Sequence, residues 1–154
     1  MDANSKGIMT YILGAITMMY MSTRHAGSMS ATGADILYGI GIVMTALAAE
    51  LIVRYFRKEL RKQRWNDKEM RRTYRKRVDS TRRCVAILIV AGVVRGCASL
   101  AASFAADTST GAFYGYLRED IVFFAYIMYA GAALQFLWAA YVARNALAEN
   151  TSPF

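Results

Sequence analysis

RKELRKQRWNDKEMRRTYRKRVDSTRR, residues 57–83, decides how the rest of the chain is read. Together with Arg54, it holds 14 of the 19 Lys and Arg residues and four of the 11 Asp and Glu. The stretch 54–83 therefore carries a net +10 and the remainder −2, in a 154-residue chain of formal charge +8. A soluble basic protein spreads its charges around a core. Here they are segregated, and 56% of the chain is hydrophobic. That is the pattern of an integral membrane protein with one basic segment standing in water. The length excludes a multidomain enzyme.

Working outward from this segment, four apolar stretches approach the roughly 20 helical residues that cross a bilayer. They cover about 7–22, 36–56, 84–106 and 121–142. Without water to satisfy the backbone, each is expected to be helical, and no ten-residue alternating strands suggest a barrel. The first stretch is short, but MDANSK before it has no net charge and no A-x-A site follows, so it reads as a span rather than a signal peptide. The expected fold is an all-α integral membrane protein with four transmembrane helices, the second and third extended into a basic hairpin over 57–83. The positive-inside rule places that hairpin on the cytoplasmic side of a plasma or inner membrane, or on the matrix side of a mitochondrial one. Four spans then put both termini on the same side.

Within the hairpin, Asn66 followed by Glu69 resembles a capping box, and Met70, Tyr74 and Val78 form one apolar stripe. The spacing predicts two helices turning near Trp65–Asn66, projecting about 14 Å from the span. Arg61, Lys62, Arg64, Trp65, Arg71, Arg72, Arg75, Lys76 and Arg77 are the expected contacts for other membrane subunits or for anionic lipid headgroups. Nucleic acid is the weakest candidate, because no helix-turn-helix pattern or zinc spacing accompanies the charge.

Polar residues inside the apolar stretches need partners. Arg95 stands midway through 84–106, about 16 Å deep, where an unpaired arginine costs several kcal/mol. Glu50, about 9 Å deep, is within reach of an extended arginine, and Gln135 enters at a comparable depth. An intramembrane cluster of Arg95, Glu50 and Gln135 is therefore expected. It reads as an ion pair fixing helix register more than as a proton relay, which needs more than one carboxylate. Gly92, Gly96, Ser99 and Gly131 are expected to let helices approach closely.

No catalytic chemistry is legible. Cys84 and Cys97 lie about 20 Å apart on one helix, too far to bridge. His25 is the sole histidine, so paired haem ligands are lacking. Catalytic and phosphate-binding motifs are also lacking, and no cofactor or metal is expected. The function expected is that of a non-catalytic accessory subunit of a larger membrane complex, energy-converting or secretory. The alternative is a small homo-oligomeric channel or transporter with Arg95 facing the pore.

Overall fold

The computed structural model describes residues 3–25 and 27–151. Four helices follow one another: α1 (Ala3–Arg24), α2 (Ala31–Lys62), α3 (Lys68–Ala105) and α4 (Gly111–Thr151). Three of them, α2, α3 and α4, are long and apolar enough to cross a membrane, the architecture of a multi-pass membrane protein. The expectation of four such helices is thereby reduced to three, because Thr10, Tyr11, Thr17 and Tyr20 dilute the apolar stretch of α1.

The helices run well past the apolar stretches. Ser30 caps α2 by accepting from the Gly33 N–H, so Asp35 lies inside the helix. At the other end, Gln63 caps α2 and Asp67 starts α3, its side chain accepting from the Glu69 N–H at 2.9 Å. Asp67, not Asn66, is the N-cap. The Asn66 N–H is instead donated to Asn150 of α4, whose amide in turn donates to the Arg64 carbonyl. The turn of the hairpin is thus tied to the C-terminal end of the chain.

Packing follows a seven-residue rhythm. The buried residues of α2 include Asp35, Gly39, Ile42, Ala46, Ala49, Val53 and Phe56, and those of α3 include Tyr74, Val78, Thr81, Val85, Leu88, Gly92, Arg95 and Ser99. In each series the steps alternate between three and four, the spacing of a left-handed coiled coil. On α4, Ala132, Phe136, Ala139 and Ala143 keep the same rhythm. These three helices form the core, with α3 packed closely on both others and α2 approaching α4 only loosely. α1 packs along α2 alone, from Gly7 beside Leu51 to Ser22, which donates to the Ala34 carbonyl at 2.7 Å.

The register between α2 and α3 is fixed at both ends. Arg95 meets Asp35, Gly92 meets Gly39, and Phe56 meets Tyr74. Counting along these pairs puts Arg83 level with Leu47. The uncharged run of α3 is therefore shifted away from the hairpin relative to that of α2. Charge-free sequence is common to both helices over only about eleven residues, or ~17 Å.

Tyr74 anchors the hairpin. It is fully buried, donates to the Phe56 carbonyl at 2.9 Å and packs against Phe56 and Trp65. Burial pushes its phenol well above the usual tyrosine range, and Glu59 and Tyr55 add to the effect. The neutral donor is thus favoured in the fold. Its contribution is complete below the unfolded value near 10 and is lost as pH rises above it.

α2 and α3 cross closely at Gly39 and Gly92. A Cβ on Gly92 would stand 2.8 Å from the Gly39 oxygen, and one on Gly39 would stand 2.7 Å from the Gly92 oxygen. Gly96 and Gly131 have open space in the same position. Gly92→Ala is expected to lower stability by about 1–3 kcal/mol, despite alanine's better helix propensity. Gly96→Ala and Gly131→Ala should be neutral or slightly stabilising. Thermal unfolding in detergent micelles measures all three, and equal effects would show that the crossing is not tight.

Candidate functional site

The charged groups buried deepest form one cluster at the end away from the hairpin. Asp35 stands a turn inside α2, Arg95 and Ser99 lie one turn apart on α3, and Arg118 is on α4. Arg95 Nη2 donates to Asp35 Oδ1 at 3.1 Å. Arg118 donates to Oδ2 through Nη2 at 2.5 Å and Nε at 2.9 Å, and the Ser99 hydroxyl donates to the same oxygen. The side chains of Asp35 and Arg95 are 7% and 6% exposed, that of Arg118 25%. One carboxylate therefore joins three helices through charge-assisted hydrogen bonds, the stronger kind.

Two tyrosines complete the site. The Arg95 guanidinium carbon lies 4.1 Å from the ring centre of Tyr38 and 4.5 Å from that of Tyr126. The two rings are only 5.1 Å apart and tilted, so the cation caps the pair rather than being sandwiched by it. Arg95 Nε and Nη1 have no hydrogen-bond partner, and the ring faces supply the remaining attraction. The cluster carries one negative and two positive charges, and the excess falls on Arg118, its most exposed member. The chemistry is that of a clasp.

The grouping expected from sequence is not formed. Arg95 pairs with Asp35, and Glu50 pairs with Arg54 one turn along its own helix at 3.1 Å. Because Arg95 is level with Asp35, Glu50 lies about fifteen residues away along α2, or ~22 Å. Gln135 is on the exposed face of α4. Tyr126 beside Tyr38 and Asn150 beside Asn66 place it between the levels of Leu47 and Leu51, close to Glu50. The depth of Arg95 was misjudged because it was measured along the apolar run of α3 alone. Asp35 was missed because it precedes the first apolar residue of its stretch; the sequence signal was the Ser30 N-cap. Of the small residues, Gly92 lies in a helix crossing, Ser99 joins the clasp, and Gly96 and Gly131 have open space where a Cβ would stand.

The basic hairpin is the second candidate. Arg61, Lys62, Arg64, Arg71, Arg72, Arg75 and Lys76 are exposed and Arg77 is half-buried. Trp65 is different: it stacks on Tyr74 and donates its indole N–H to the Leu60 carbonyl at 3.3 Å, so it plugs the turn instead of facing a partner. Charge is sorted by side. Asp67, Glu69 and Glu149 line a cleft between α3 and α4, whereas Arg54, Arg57, Lys58, Arg61 and Lys62 line one along α2. The described residues contain no cluster of His, Cys, Asp or Glu able to hold a metal ion.

The chain matches no protein-family model, and comparisons with curated proteins and with solved structures give no match.

Removing the shared carboxylate leaves two guanidiniums facing each other. Asp35→Ala is expected to cost about 3–5 kcal/mol, as for one partner of a buried ion pair, and Arg118→Ala less, given its exposure. Glu50→Ala should stay within about 1 kcal/mol, because its partner Arg54 is exposed. Melting temperatures in detergent provide the comparison. An Asp35 variant as mild as the Glu50 one would show that the clasp does not hold the helices.

Proposed function

We propose that this chain is a non-catalytic subunit of a larger membrane assembly. The observation that carries the reading is the fate of its buried charge. Asp35, Arg95 and Arg118 are bound to one another across three helices, so the deepest charges among the described residues serve to join helices. What remains for recognition is on the surface: an exposed apolar face on α4 that includes Phe123, Phe124, Leu134 and Trp138, and the cations of the hairpin.

In this reading α1 is a fourth crossing helix. It lies beside α2 from Leu51 to Ala34, at the depth of the α2 apolar run, and turns Leu13, Ile16 and Tyr20 outward. The excess of Lys and Arg then places the hairpin and both termini on the cytoplasmic or matrix side. Other membrane subunits dock on α4 and on the hairpin.

Extraction of the native protein in mild detergent tests the proposal. One copy co-purifying with unlike chains in fixed ratio is the expected result. A symmetric homo-oligomer lacking other chains, with ion flux altered by Arg95→Leu, would replace it with a channel.

A further inference from the structure

The cations on α2 adjoin a second cleft of different character. Arg54, Arg57, Lys58, Arg61 and Lys62 fall on successive turns of α2, so they share one broad helix face, and they line an open cleft of about 460 Å³. Next to it, the start of α1 crosses α2 and encloses about 760 Å³. The second cleft shares Arg54 and Lys58 with the first; its other walls are Ile8, Ile52 and Tyr55 together with the polar Asn4, Ser5 and Glu59. An open cationic face of α2 therefore adjoins a partly apolar groove, with two basic side chains at the junction.

Level decides what fits. The apolar run of α2 ends at Val53, so the shared cations stand where hydrocarbon gives way to headgroups. Arg75 and Lys76 of α3 are at the same height, because Tyr74 is opposite Phe56. A soluble polyanion could use the cations but would gain nothing from Ile8 and Ile52. A phospholipid uses both. We infer that these paired clefts bind an anionic phospholipid whose head carries more than one negative charge. Its phosphate is held between Lys58 and the Nη groups of Arg54, whose Nε stays on Glu50, the rest of the head reaches Arg57 and Arg61, and an acyl chain lies in the α1–α2 groove. Juxtamembrane basic residues attract such lipids in general; the groove adds a seat for the chain.

This site rests on the membrane reading, and the two can fail separately. Resistance of the protein to alkaline carbonate extraction from membranes tests insertion by itself. For the site, the full-length protein in phosphatidylcholine nanodiscs is titrated with cardiolipin, phosphatidylserine and pyrophosphate, with the melting temperature and bound lipid as readouts. Cardiolipin is expected to bind at least tenfold more tightly than phosphatidylserine and to raise the melting temperature. Arg54→Gln with Lys58→Gln should abolish that preference, whereas Lys68→Gln with Arg83→Gln, on α3, should leave it intact. Ile8→Ser should weaken cardiolipin binding without altering that of pyrophosphate. Pyrophosphate competing as well as the lipid would overturn the proposal, as would equal losses from both pairs of substitutions. Binding of a short RNA that displaces cardiolipin and ignores Ile8→Ser would instead assign the cations to nucleic acid.

Discussion

One carboxylate shared by two guanidiniums sets the geometry of the molecule. Asp35 can accept from Arg95 and Arg118 together only if α2, α3 and α4 meet at one height, and the heptad spacing carries that register along the core. A one-residue slip of α3 would rotate Arg95 by about 100° and leave it unpaired in apolar surroundings. Directional ionic bonds therefore specify what apolar packing alone leaves open, since lipid tails are as apolar as leucine. At the other end, Tyr74 and the two asparagines, Asn66 and Asn150, perform the same task with neutral hydrogen bonds.

The helical class, the three longer apolar helices and the basic hairpin were legible in the sequence, because charge segregation and hydropathy are properties of whole segments. The relative heights of the helices were not. Hydropathy locates each run separately, and the runs of α2 and α3 turn out to be staggered. Arg95 looked central along α3 and lies near the start of α2. The core face was equally hidden. Within a segment apolar on all sides, the buried face is marked by small size: alanine and glycine point inward at positions such as Ala46, Gly92 and Ala139, while Leu134 and Phe123 point outward. Trp65 and Tyr74 misled for a related reason. Aromatics near a membrane boundary suggest headgroup contact, and these two instead fill the space between hairpin arms.

The hairpin is more than a topological signal. Asp67 and Glu69 lie towards α4 and a set of the hairpin's basic residues on α2, so the two sides differ in their local charge. Sorted charge costs self-repulsion on each side. In the proposed assembly, that repulsion is relieved by lipid on one flank and by protein on the other.

The stagger between α2 and α3 also has a mechanical consequence for the surrounding bilayer. At the hairpin end the apolar surface is uneven: α3 carries Arg82 and Arg83 level with Ala48 and Leu47, whereas α2 stays uncharged as far as Glu50. Lipids beside α3 must shorten towards Arg82 and Arg83, or those side chains must stretch along their stems to reach the headgroups. In the membrane reading, the boundary between hydrocarbon and headgroups therefore sits deeper beside α3 than beside α2.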